Sequence, residues 1–267
     1  MAIINRTPDS FFDKGATFAL DRAVDAALAA AADGADWVDI GGVPFGRGDP
    51  VSLAEEIDRV VPVIEAIHAS SDVVISVDTT DAEVARRSIE AGASVINDTS
   101  GLSDPRMASV VARSSANLVI THSNGVPRSE PQSPRYDDVT REVVSYLRDR
   151  VNQAMAAGVP RDRLIVDPGH DLNKNTVHTL EITRHLEEVV AIGLPTLVAV
   201  SNKDFIGESI DREQGKRLEG SLAAAVICIM KGARIVRMHD VPAAVAAVRL
   251  TEAVLGFREP AYARHNV

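Results

Sequence analysis

Nine polar side chains stand at or just after short apolar runs in this sequence: Asn5, Asp39, Asp78, Asn97, His122, Asp167, Lys203, Arg237 and His239. A carboxylate accepts N–H groups, an amide such as Asn97 both donates and accepts, and an arginine or a lysine brings only donors. A lysine at a strand end meets an anion or a carbonyl oxygen. Taken singly, an Asp or Asn in such a place is as readily the cap of the next helix. Repeated at one strand end after another, the pattern describes a binding site. Spacing agrees with this: Ser201 and Lys203 are two residues apart, as are Arg237 and His239, so each pair shares one side of its strand. One stretch runs against it. In TLVAVSNKDFIGES (196–209), Asp204 follows Lys203 directly, and a carboxylate there opposes the anion a lysine would otherwise await.

The elements that must position these residues alternate along the chain. Short β-rich runs read AIIN (2–5), WVDIGG (37–42), VVISVDT (73–79), SVINDTS (94–100), NLVITH (117–122), LIVDPG (164–169), TLVAVS (196–201) and IVRMHD (235–240). Between them lie helical patterns such as LDRAVDAALAAAADGA and LAEEIDRVVPVIEAIHA, several closing on a glycine (Gly34, Gly92, Gly158, Gly232) where a helix C-terminus takes a left-handed residue. Runs that are continuously apolar are buried on both faces, which indicates a parallel sheet. Eight such units of roughly 30 residues predict one α/β domain spanning 1–267, a closed (β/α)8 barrel of the TIM type, with the polar residues gathered at its C-terminal rim. An open doubly wound sheet is the alternative, but no G-x-G-x-x-G follows the first strand.

Composition narrows the partners. The net charge of −10 leaves no basic stripe for nucleic acid, so any anion site must be built locally. The longest apolar run, Leu222 to Met230, is too short to span a bilayer, and no leader pattern opens the chain. A single cysteine, Cys228, excludes a disulfide framework and suits a reducing cytoplasm. His170 and His178 lack a third ligand and make poor evidence for zinc. Trp37 is expected to pack between the barrel and a helix, and RYDDVTREVVSYLRDRVNQAM to form an amphipathic outer helix.

Seven motifs then occur in order, each at a strand end: INRTPDSFFDKG, VDIGG, ISVDTT, INDTSG, VDPG, SNKDFIG and VRMHDV. Together they resemble dihydropteroate synthase over nearly the whole chain. The resemblance implies a TIM barrel, usually a homodimer, that joins 6-hydroxymethyl-dihydropterin pyrophosphate to 4-aminobenzoate in folate synthesis with Mg2+ on the pyrophosphate. It further implies that Asp78, Asn97, Asp167 and Lys203 hold the pterin, that Asn5 binds the metal and the pyrophosphate, and that Arg237 and His239 hold the phosphates. The chemistry fits: the amino-pyrimidinone edge of a pterin presents adjacent N–H donors beside a carbonyl. The helix start in HDVPAAV offers free N–H groups and a favourable dipole to phosphate. For Arg237 an ion pair with a neighbouring acid ranks second to a phosphate contact.

The other half of the family pattern is altered. Where the family reads GGESTRPG this chain reads GGVPFGRGDP, so the arginine position falls on Gly46 and only Arg47, between glycines, stands near it. The family's DPGxGFGK becomes DPGHDLNKN, which replaces an aromatic wall by Asp171, Leu172 and Asn173; its MHMRG becomes THSNG at Thr121 to Gly125. The family's Ser-Arg-Lys becomes Ser201-Asn202-Lys203, followed by Asp204. An aminobenzoate carboxylate about 5 Å from Asp204 would be repelled by roughly 3 kcal/mol at an effective dielectric near 20, unless Asp204 is spent neutralising Lys203. The synthase reaction needs placement of both partners and charge neutralisation on the leaving pyrophosphate more than acid–base work. These losses therefore predict a divergent homologue with little or no synthase activity. The alternatives are an active transferase using 4-aminobenzoate or another acceptor, a corrinoid methyltransferase, which has no use for Arg237 and His239 as a phosphate clamp, and a non-catalytic pterin- or sulfone-binding or partner protein.

Overall fold

A strand that is apolar on both faces must be covered on both, and a chain achieves this by returning over the sheet with a helix after each strand. The computed structural model describes residues 1–6, 19–44, 49–123 and 134–265. Their elements run β1 (Ala2–Asn5), α1 (Leu20–Ala32), β2 (Trp37–Gly41), α2 (Leu53–His68), β3 (Val74–Asp78), α3 (Ala82–Glu90), β4 (Val95–Asp98), α4 (Met107–Ala112) and β5 (Asn117–Thr121). They continue with α5 (Val139–Ala156), β6 (Leu164–Asp167), α6 (Thr176–Arg184), α7 (Leu186–Val190), β7 (Leu197–Val198), α8 (Asp204–Ile210), α9 (Leu218–Met230), β8 (Ile235–Val236) and α10 (Val241–Val254). No helix among the described residues is long and apolar enough to cross a membrane.

Local chemistry sets the helix starts. Ser52, Asp81, Asp138 and Asp240 each accept a backbone N–H from the first turn of the helix that follows, and Pro242 sits in the first turn of α10, where its missing N–H costs nothing. The inward stripe of α5, Val139, Val143, Leu147, Val151 and Ala154, is buried, as its amphipathic pattern predicts.

β1 to β6 pair in sequential order, all parallel, and β7 pairs parallel with β8. Bridges between Val166 and Thr196 and between Ala2 and Met238 join the two sheets at both edges, so the ring closes. This is the (β/α)8 barrel. β7 and β8 are shorter than their apolar runs. Past Val198 and Val236 the ladder gives way to single bonds, Arg237 N–H to Val198 O at 2.9 Å and His239 N–H to Ser201 Oγ at 3.1 Å. The strand ends are spent on delivering polar groups.

Two apolar cores result. The larger lies between strands and helices, and the smaller fills the barrel lumen with Val95, Val119, Ile165 and Leu197, against which Met1, Trp37, Val74, Ala199 and Ile235 pack. Trp37 therefore faces into the barrel and not a surrounding helix: it has the same parity as Asp39 and Gly41, two and four residues on, and all three turn inward. The lumen floor is apolar, and the next inward residue of each strand carries the site. Leu197→Ala should lower unfolding free energy by about 2–5 kcal/mol in urea titration, because the fully buried floor cannot collapse into the space.

Candidate ligand-binding site at the barrel mouth

Above the floor stands Asp39, wholly buried on β2. Its Oδ1 accepts from Ser76 Oγ on β3 at 2.5 Å, and its Oδ2 accepts from Asn97 Nδ2 on β4 at 3.1 Å and Arg237 Nε at 2.6 Å. Arg237 reaches on to Asp78 Oδ2 through Nη2 at 3.0 Å, and Asp78 Oδ1 accepts from Thr99 Oγ1 at 3.1 Å. The ion pair ranked second for Arg237 from sequence is thus the arrangement present, with two acids; Nη1 takes no part in either bond. Donation by Asn97 Nδ2 to Asp39 fixes which way its amide faces. Its Oδ1 is left buried with no hydrogen-bond partner. An acceptor in that state is costly unless a ligand or water donates to it.

Asp167 ends β6, and its Oδ1 accepts the N–H of Gly169 at 2.7 Å. Burial pushes its carboxyl up to about 6, against the pull of Lys203, Lys174 and Arg237. Burial likewise raises Asp78 to about 6, although Arg237 opposes it. Gly169 has a φ of +69°, and a Cβ there would lie 2.1 Å from His122 O, so only glycine fits between β5 and the β6 turn. The turn is held by Lys174, which sequence reading did not single out. Its buried Nζ meets His122 Nδ1 at 2.8 Å and donates to Gly169 O and Leu172 O at 2.9 Å each. Burial lowers Lys174 to about 7 and His122 to about 3, the latter with help from the Lys174 charge. The available signal was the lysine that ends DPGxGFGK in the family and DPGHDLNK here; its role stayed hidden because the carbonyls and the His122 ring it meets converge only when the turn folds against β5.

The corner around Lys203 answers the puzzle of Asp204. Lys203 precedes α8 as its N-cap residue, and Asp204 turns away from it to pair with Arg217 Nη1 at 2.8 Å. The expectation that Asp204 either neutralises Lys203 or stands bare against a ligand is corrected here: its partner is an arginine thirteen residues on, invisible to local reading. Arg217 also donates to Asn202 O and Arg212 O, and lies across Gly207, where a Cβ would come within 2.2 Å of Nε. Asn202, at φ 58°, accepts the Gly215 N–H on Oδ1. Asp171 does not line an open wall. Its Oδ2 accepts from the N–H groups of Asp204 and Phe205 at 2.7 and 3.3 Å, so it caps α8 from across the mouth. Burial lowers the Lys203 ammonium, and Asp171 is the largest charge opposing that shift.

The family model described as pterin binding enzyme matches residues 1–239. The chain belongs to the pterin-binding enzyme family. It is 46% identical over 266 residues to a Mycobacterium tuberculosis protein named inactive dihydropteroate synthase 2, covering 97% of this chain and 84% of that protein. To the dihydropteroate synthase of Escherichia coli it is 40% identical over 260 residues, covering 97% and 92%. The crystal structure of the Yersinia pestis dihydropteroate synthase with a sulfonamide drug superposes with a TM-score of 0.92 at 38% identity, covering 97% of this chain and 94% of that one.

The fold therefore brings the residues expected from the synthase family to one mouth. Asn5 ends β1 opposite Gly41, where a side chain would meet Asn5 Oδ1 at 3.5 Å and the Asp78 Cβ at 3.8 Å; the absent side chain keeps space between them. His239 Nδ1 lies 2.9 Å from Ser201 Oγ, which joins the ends of β7 and β8. Gly46 and Arg47 lie outside the described residues, as do Asn124 and Gly125. Among the described residues no cluster of three or more His, Cys, Asp or Glu side chains is arranged to hold a metal. Glu56, beneath the β3 loop, was also missed; it accepts from Thr79 Oγ1 at 2.6 Å, and burial raises it to about 7.

Asp39→Asn should cost about 3 kcal/mol in urea unfolding, since it weakens a buried pair and leaves the Arg237 charge with Asp78 alone. Asp78→Asn, at a partly exposed acid, should cost less than half of that by the same measurement.

Proposed function

We propose that the chain binds a pterin, or a pterin diphosphate, in this mouth and carries little or no dihydropteroate synthase activity. The observation that supports it most is the Asn97 amide, oriented by Asp39 with a buried oxygen that lacks a donor. Beside it Asp167 offers a carboxylate, so the two can accept the adjacent N–H groups of an amino-pyrimidinone edge. Lys203 meets the ring carbonyl or a ring nitrogen, and Asp78 completes the set. Arg237 through Nη1, His239 and the start of α10 meet the diphosphate.

Asn5 supplies one amide oxygen to Mg2+, which fits an ion held chiefly by diphosphate and water and not by a protein cage. When bound, that ion would neutralise charge on the diphosphate. The altered corner supports the loss of synthase activity. Asn202 stands where the family has arginine, Asp171 is tied to α8, and the relatives named above at 46% identity carry the description inactive. A homodimer is the assembly that fits the apolar side chains exposed on α9 and α10 and just beyond, Ile227, Met230, Leu250, Val254 and Phe257. The buried, unpaired Cys228 suits the cytoplasm.

Calorimetry with 6-hydroxymethyl-dihydropterin pyrophosphate and Mg2+ should show binding that Asp167→Asn weakens by about ten- to a hundredfold, the value of hydrogen bonds to a charged group. Absence of binding to the unaltered chain would remove the reading. Supplying 4-aminobenzoate should yield no dihydropteroate by chromatography, and robust turnover would overturn the claim of lost activity. A second expectation concerns pH. Because Asp167 is raised to about 6, pterin affinity should climb as pH rises through that value and the second acceptor ionises. The same group stabilises the empty protein below its unfolded value near 4, and that contribution is lost as pH rises through about 6. A pH profile that is flat from 5 to 7 would remove Asp167 from the contact.

A further inference from the structure

We propose that Asp171 sets the charge of the second ligand at this mouth, as an internal carboxylate that stands in for one a ligand would bring. The partner accepted beside the pterin is then an uncharged or cationic amine and not an aromatic acid. The inference rests on the pterin-binding reading above and names the acceptor class for that same site.

Both oxygens of Asp171 are engaged. Oδ2 accepts from Asp204 and Phe205, Oδ1 accepts from Thr179 Oγ1 at 3.1 Å, and the Asp171 N–H donates back to that hydroxyl at 3.3 Å. The residue takes a φ of 62°, a region few side chains other than Asn and Asp occupy, so the turn itself aims the carboxylate across the loop. Its charge acts on Lys203 more strongly than that of Asp167 or Asp78. Arg217 pairs with Asp204, and Asp171 is the carboxylate whose charge bears most on Lys203. An incoming carboxylate meets the negative charge of Asp171 at this corner. To seat there it must expel Asp171 and leave that charge without its partners, whereas a neutral or cationic group displaces nothing.

The neighbouring residue points the same way. His170 is buried, its ring 6.0 Å from that of Phe205, and neither of its nitrogens has a hydrogen-bond partner. Beside Lys174 and Lys203 it stays uncharged. It adds a neutral donor and acceptor to the corner, with no positive charge for an acid to meet.

The test uses two probes of nearly the same shape, 4-aminobenzoate, which is charged, and 4-aminobenzamide, which is not, with affinities measured by calorimetry in the presence and absence of pterin pyrophosphate. The unaltered chain should bind the amide at least as tightly as the acid. Asp171→Asn keeps an oxygen for the α8 N–H groups while removing the charge, and should move the acid-to-amide affinity ratio toward the acid by about tenfold or more. Asp204→Asn, at an exposed residue paired elsewhere, should move it less than about threefold. A purely structural role for Asp171 lowers the melting temperature and leaves the ratio unchanged, and that result overturns the proposal. So does an unaltered chain that prefers the acid, which keeps the test decisive should the Asn variant fail to fold, and so does an Asn variant that binds neither probe. Failure of the pterin compound alone to bind removes the earlier reading instead, and the two failures are read from separate titrations.

Discussion

One buried carboxylate organises the barrel mouth. Asp39 takes donors from β3, β4 and β8, so a single side chain on β2 ties together strands from opposite sides of the ring. A charge removed from water to that extent is tolerated only with its lone pairs occupied, and here three donors occupy them. The arrangement has consequences beyond stability. It chooses the orientation of the Asn97 amide, and it extends Arg237 toward Asp78. The geometry of the mouth is therefore inherited from a contact that no ligand needs to touch.

The two halves of the mouth differ in how their polar groups are satisfied. On the β4 side a buried acceptor stays unpaired, and at the end of β6 burial holds Asp167 in an environment that resists ionisation. Such groups are costly in the empty protein and are relieved by a complementary ligand, which marks a site prepared for one. On the α8 side the charged groups are largely paired within the chain, while Asn202 Nδ2 and both His170 nitrogens are buried without a partner. Asp171 caps the helix, Arg217 takes Asp204 and two carbonyls, and Asn202 accepts Gly215. Charged groups already paired within the chain offer an anionic ligand little.

Lys174 shows how the halves communicate. Its ammonium holds Gly169 O and Leu172 O, so the turn carrying Asp167 and the turn carrying Asp171 are fastened to one point. Its own depressed value, about 7, follows from burial and from Lys203 nearby. The loop from Gly169 to Lys174 consequently ties the end of β6 to α8.

Much of this was legible in the residues. The eight apolar runs fell on the eight strands, because burial on both faces leaves an unbroken apolar signature, and the helix-closing glycines followed from backbone sterics that act locally. Parity along a strand placed Arg237 with His239, and Ser201 with Lys203. What remained hidden was pairing. Trp37 was assigned to the wrong core because apolarity does not say which apolar space a side chain enters. Asp204 was set against Lys203 because they are adjacent, while its partner Arg217 comes near only once α8 and α9 pack. Asp171 reads as a lost wall in the sequence and as a helix cap in the fold. Periodicity and steric preference are properties of neighbouring residues and survive in a string of letters. Charge compensation depends on distances across loops, and those exist only after the chain has closed its barrel.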